Sequence, residues 1–214
     1  MYFSNIAVGL AGVVAMANAA QKYPPSTMSQ GVRLVAHLKT NTTSEFKYIN
    51  GLKSIRPGHT VLAVGEEGNT ATVFYTNGTQ EQYEHGQTAL QAFLPGDGTP
   101  HTVRLGQDDQ ASSLGELELQ LAYLDINGNG ETPMFSNSSQ PIKTLAPMGW
   151  MLCSEPQSKI STLKIGHFWE TYPDCSDNFV IYPECAELGE PKDKYGVLYL
   201  QCYQNVSAIN WDEY

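Results

Sequence analysis

Between positions 31 and 39 the chain reads GVRLVAHLK, and its apolar residues fall on every second place: Val32, Leu34, Ala36 and Leu38 alternate with Arg33, Val35, His37 and Lys39. A period of two sends successive side chains to opposite faces, so the segment is expected to be a half-buried strand. Similar runs recur at short intervals: HTVLAVGE, TATVFYTN, HTVRLG, GELELQLAYL, GWMLCSE, LKIGHFWET, NFVIYP and GVLYLQCY. Between them lie RPGH, EEGN, TNGT, PGDGTPH, NGNG and ELGEPKDKYG, compositions in which glycine supplies positive φ and proline fixes a bend. QTALQAFL breaks this rhythm and reads as a short helix stopped by Pro95 and Gly96. The pattern predicts an all-β protein, a single disulfide-bonded β-sandwich or partly open β-barrel with at most short helices.

The first twenty residues, MYFSNIAVGLAGVVAMANAA, carry no charge, hold an apolar stretch from Ile6 to Met16 and end in Ala17-Asn18-Ala19. That small-residue ending is the pattern of a cleavable secretory signal, and the apolar stretch is too short to span a bilayer comfortably. The expected organisation is a signal peptide over 1–19, a loose proline-containing leader over 20–30, and a single β domain over 31–214. A secreted, extracellular protein follows, expected to be a monomer.

The formal net charge is -10, and the Lys and Arg residues form no cluster. Such a polyanion is repelled by phosphates and anionic lipid, so neither nucleic acid nor membrane insertion is expected. The four cysteines, Cys153, Cys175, Cys185 and Cys202, read as two disulfides in a secreted chain, and no CxxC or CxxH spacing suggests zinc. Met151 and Cys153 share one face of GWMLCSE, and Leu198, Leu200 and Cys202 share one face of GVLYLQCYQ. With both faces turned to the core, the expected pairs are Cys153 with Cys202 and Cys175 with Cys185. Four N-glycosylation sequons, at Asn41, Asn77, Asn137 and Asn205, suggest a glycoprotein.

The most concrete candidate chemistry is DINGNGE. Asp125, Asn127, Asn129 and Gly130 match the start of a calcium loop, but Pro133 stands at its ninth position and Ser136 where its bidentate glutamate belongs. Leu117, Leu119, Leu121 and Tyr123 alternate with polar or small residues before it, which declares a strand, and two successive Asn-Gly pairs favour a hairpin turn. A weak structural calcium site on Asp125, Asn127, Asn129 and Glu131 is the remaining metal candidate; no other cofactor is expected. Trp150, Trp169 and Tyr172 are candidate stacking surfaces for sugar rings, with burial in the core as the competing expectation. The five histidines, His37, His59, His85, His101 and His167, are isolated in sequence, and there is no G-x-S-x-G elbow.

The tail CYQNVSAINW, with NFVIYPEC, FYTNGT and VRLVAHL, resembles a family of small secreted ascomycete proteins that carry a domain of unknown function. The resemblance implies a fungal, secreted, disulfide-bonded domain, some of whose relatives are suspected effectors or elicitors, and it brings no catalytic residues to transfer. Cys202 would anchor the tail while Val206, Ile209 and Trp211 cover an open end of the sheet. The leading expectation is a non-enzymatic β domain that recognises an extracellular protein or glycan. The alternatives are a carbohydrate or cell-wall binding module, and a hydrolase whose histidine, acid and serine are assembled from distant positions.

Overall fold

The computed structural model describes residues 23–39, 43–53, 60–64, 71–94, 96, 98–107, 119–126, 132–136, 141–155, 160–166, 172, 174–189 and 196–214. The expected signal peptide and the turns RPGH, EEGN and NGNG lie outside them. The first half of the chain supplies β1 (Thr27–Ser29), β2 (Gly31–Lys39), β3 (Ser44–Lys53), β4 (Thr60–Val64), β5 (Phe74–Asn77), β6 (Ala89–Phe93) and β7 (Pro100–Gln107), with α1 (Gln80–Glu84) between β5 and β6. The second half supplies β8 (Gln120–Asp125), β9 (Met134–Phe135), β10 (Leu145–Ala146), β11 (Trp150–Ser154), β12 (Ser161–Ile165), β13 (Val180–Ala186) and β14 (Leu200–Cys202). Two 3₁₀ turns, Val206–Ala208 and Trp211–Glu213, end it.

The all-β expectation holds. Antiparallel pairing runs β12-β4-β3-β2-β5-β6-β7-β8, and β8 then pairs with both β12 and β4, so eight strands close into a barrel. Closure removes exposed strand edges from this ring. The strand β11 extends the wall from β12, and β13 lies along β2 with Val35 opposite Tyr182 and Arg33 opposite Glu184.

The period of two decides which side chains fill the interior. Val32, Leu34 and Ala36 of β2, Ile49 of β3, Leu62 of β4, Phe74 of β5 and Val103 of β7 are buried in one cluster. The opposite face of the wall is also covered in places. Leu119, Met151, Cys153 and Tyr172 form one outer cluster, and Val61, Ala63 and Leu121 another. On β8 it is therefore Ala122 and Leu124 that face the interior, while Leu121, and Leu119 just before the strand, pack outside.

This two-sided burial corrects the expected disulfides. Cys153 bonds Cys175 and Cys185 bonds Cys202, with Cα separations of 3.9 and 5.1 Å. Cys153 is not on the interior face of β11, where Trp150 and Leu152 point, but on the outer face with Met151; Cys202 belongs to the interior cluster. The wall stands between them, so each cysteine bonds a partner packed on its own side.

Other expectations change for equally local reasons. QTALQAFL is not a helix: it contains β6, held between β5 and β7, with Leu90 and Ala92 buried and Ala89, Gln91 and Phe93 half-buried. The helix is α1, opened by a capping box in which Gln82 N–H donates to Thr79 Oγ1 and Thr79 N–H donates to Gln82 Oε1. Part of the leader expected to be loose is β1, paired with β14, and Ser29 Oγ donates to Ala186 O at 2.7 Å. Nor does the chain return beside β8 after DINGNGE, since β9 pairs with β10.

Candidate functional site

The outer face of β2 carries Arg33, Val35 and His37. Across from Val35 stand Tyr48 of β3 and Tyr182 of β13, and across from His37 stands Phe46. Over these strands lies the C-terminal tail, so Val35, Tyr182, Tyr203 and Val206 are buried together, with Phe46, Tyr48, Ile142, Ile209 and Trp211 packed against them. The Trp211 ring stacks on Tyr182 with centroids 3.8 Å apart and planes at 14°, and meets Tyr203 edge-on at 5.3 Å. His37 stacks on Phe46 at 4.5 Å. The edge-on arrangement of Trp211 and Tyr203 suits the quadrupoles of aromatic rings.

Polar groups fasten this cluster. Glu184, 5% exposed, accepts from Tyr48 Oη at 2.8 Å through Oε1 and from the Val206 N–H at 3.0 Å through Oε2. Arg33 Nη1 lies 3.7 Å from Oε1 and supplies the countercharge. Trp211 Nε1 donates to Val206 O at 2.9 Å, and Lys39 pairs with Asp212 at the rim. Lys39 holds the Asp212 carboxyl below its ordinary value, through its hydrogen bond first and its charge second. Burial pushes the Tyr182 hydroxyl up to about 12, with Tyr203 adding to the effect. Tyr203 also rises through burial, against the opposing hydrogen bond its oxygen accepts from Lys143 N–H at 2.8 Å.

His37 lies below its ordinary 6.5 because of burial first and the Lys39 charge second, with Asp212 opposing. Its Nε2 is 2.5 Å from Ser44 Oγ. The hydrolase alternative asked for a histidine beside a serine and an acid, and His37, Ser44 and Asp212 come together here. The acid, however, is engaged by Lys39, and Ser44 is exposed at the mouth of the β2–β3 hairpin. What this face offers chemically is an aromatic centre with the Lys39–Asp212 ion pair at its rim, the composition of a recognition surface.

The residues singled out from sequence are distributed differently. Trp150 is a core side chain, 1% exposed, whose Nε1 donates to Leu145 O at 3.0 Å; Tyr172 is buried against Met151 and Cys153. Neither presents a ring to solvent, and Trp169 lies outside the described residues. Asp125 ends β8, half-buried, while Asn127, Asn129 and Glu131 lie outside the described residues. Among the described residues, no group of three or more His, Cys, Asp or Glu is placed to hold a metal ion. Asn77 and Asn205 are exposed; Asn41 and Asn137 lie outside, as do His59 and His167. His85 caps α1 through Nδ1 and Glu81 O, and His101 is buried on β7. Sequence reasoning missed Glu184, Tyr48 and Tyr182. The available signal was Tyr182-x-Glu184 on one face of a strand, facing Arg33-x-Val35-x-His37 on another.

Fold and site together define an all-β, disulfide-bonded barrel protein with its C-terminal tail packed on an outer aromatic face. The chain is 28% identical, over 95% of its length, to a protein of the fungus Stachybotrys chartarum named "Antigenic protein SchS34", and the match covers 99% of that protein. No family model matches the chain, and no solved structure matches it.

Proposed function

We propose that this is a secreted, non-catalytic fungal barrel protein that acts outside the cell by surface recognition, with host-surface or cell-wall components as its partners. The observation that carries this reading is the likeness, over nearly the whole of both chains, to a protein named as an antigen. Two disulfides support an extracellular compartment, because such bonds persist in oxidising surroundings. The aromatic face rimmed by Lys39 and Asp212 is the surface best suited to contact a partner.

The test is to express the full chain in a fungal host, purify it from the medium, and pass it over host-cell surfaces, cell-wall fractions and arrayed glycans. Retention on one class of surface, weakened by Lys39→Glu at the rim, is the expected result. Secreted protein that binds none of them, or that hydrolyses an ester or glycoside substrate in a Ser44-dependent way, overturns the proposal.

A further inference from the structure

We propose that Asn205 is an N-glycosylation site whose carboxamide carries a sugar and caps the first 3₁₀ turn at the same time. Two hydrogen bonds end on its Oδ1: Ala208 N–H donates at 3.1 Å and Ser207 Oγ at 2.8 Å. Ala208 N–H also donates to Asn205 O at 3.3 Å, and a flipped amide would turn its NH2 group onto this N–H donor, so the contact fixes which end of the amide faces inward. Nδ2 is thereby turned away from the turn. Gln204, Asn205, Ser207, Ala208 and Asn210 are all exposed, which leaves room for a bulky substituent.

Glycosylation uses only the nitrogen. A lipid-linked pyrophosphate oligosaccharide is the donor: the bond from Nδ2 to the sugar C1 forms, and the C1–O bond to the pyrophosphate breaks. The lipid pyrophosphate leaves with the electron pair, and Nδ2 gives up one proton. The product is a secondary amide whose Oδ1 still accepts from Ala208, so cap and modification are compatible. The other described sequon is built differently. A Cβ on Gly196 would lie 2.5 Å from Asn77 Oδ1, so that side chain packs against a neighbouring segment, and Thr79 Oγ1 already caps α1.

This inference rests on the secretion reading, and two expression arms separate their failures. The first uses the native chain and asks whether it reaches the medium; an intracellular chain overturns the secretion reading alone. The second fuses a heterologous secretory leader, so that the chain enters the glycosylating compartment in either case. Peptide mapping after enzymatic glycan release should then show Asn205 converted to aspartate in wild type and Ser207→Thr, with loss of that conversion in Ser207→Ala. Ser207→Ala keeps the Ala208 cap and loses only the exposed Ser207–Asn205 bond, so it should melt cooperatively and close to wild type produced without glycosylation, which excludes misfolding as the cause. Asn205 recovered unmodified from folded secreted wild type, or modified in Ser207→Ala, overturns the proposal.

Discussion

Glu184→Ala is the substitution that tests the architecture of the outer face most directly. The carboxylate is buried and holds three donors: Tyr48 Oη, Val206 N–H and, at longer range, Arg33 Nη1. Hydrogen bonds to a charged group contribute about 1.5–3 kcal/mol each, and two are lost. Removing one partner of a buried charge pair strands the other, and such truncations cost about 3–5 kcal/mol. Arg33 is partly relieved because its side chain is 18% exposed and reaches water, whereas the Val206 N–H belongs to a residue that is fully buried. An overall loss of about 4 kcal/mol follows from these terms. For a chain of this size that corresponds to a fall in Tm of about 12 °C. Urea titration followed by tryptophan fluorescence gives the free energy. Tyr48→Phe should lose about 1.5–3 kcal/mol, and the double variant should lose less than the sum of the singles, since both remove one shared bond. A Glu184→Ala protein destabilised by under about 1 kcal/mol, with no coupling to Tyr48, would refute the account of the clamp.

Non-reducing peptide mapping should recover Cys153 linked to Cys175 and Cys185 linked to Cys202; a Cys153–Cys202 peptide would contradict the two-sided wall. In the chain-entropy model, loops of 22 and 17 residues give about 3 kcal/mol per bond, the loss expected for each double Cys→Ser variant. Trp150→Ala should cost about 4 kcal/mol as a core truncation, and Trp211→Ala about 2, because its ring is only half-buried. Near-equal, small losses in thermal melts would mean that Trp150 is a surface ring after all. His37 is held below its ordinary 6.5 by burial, so between that value and its folded one the unfolded chain binds the extra proton. Its contribution is neutral above 6.5 and turns destabilising as pH falls below it. The melting temperature should therefore drop more steeply below pH 6.5 in wild type than in His37→Phe, and parallel profiles would exclude His37 as the cause.

The range of β2 was legible in the sequence as the GVRLVAHLK run, and Val32, Leu34 and Ala36 do fill the interior, but the strand is not half-buried as expected, because the tail also buries Val35 and His37 on its outer face. Local signals failed where tertiary pairing outweighed them. Asn50-Gly51 has the composition of a hairpin turn, yet lies inside β3. There Asn50 Oδ1 accepts from Thr72 N–H at 2.6 Å, and a Cβ on Gly51 would come within 2.6 Å of Leu124 Cδ1. The glycine permits close packing across the barrel, not a reversal. The mistaken disulfides came from equating an apolar face with the interior, when Met151 and Cys153 are apolar, buried and outside. The tail was partly legible, because Val206, Ile209 and Trp211 do cover a sheet, though an outer face and not an open end. What makes that face a site is the meeting of Tyr48 and Glu184, 136 residues apart in sequence. Each is an ordinary strand residue when read alone. Only the addition of β13 to β2, which itself pairs with β3, brings aromatic and carboxylate onto one surface, so information about the site resides in strand order more than in any motif.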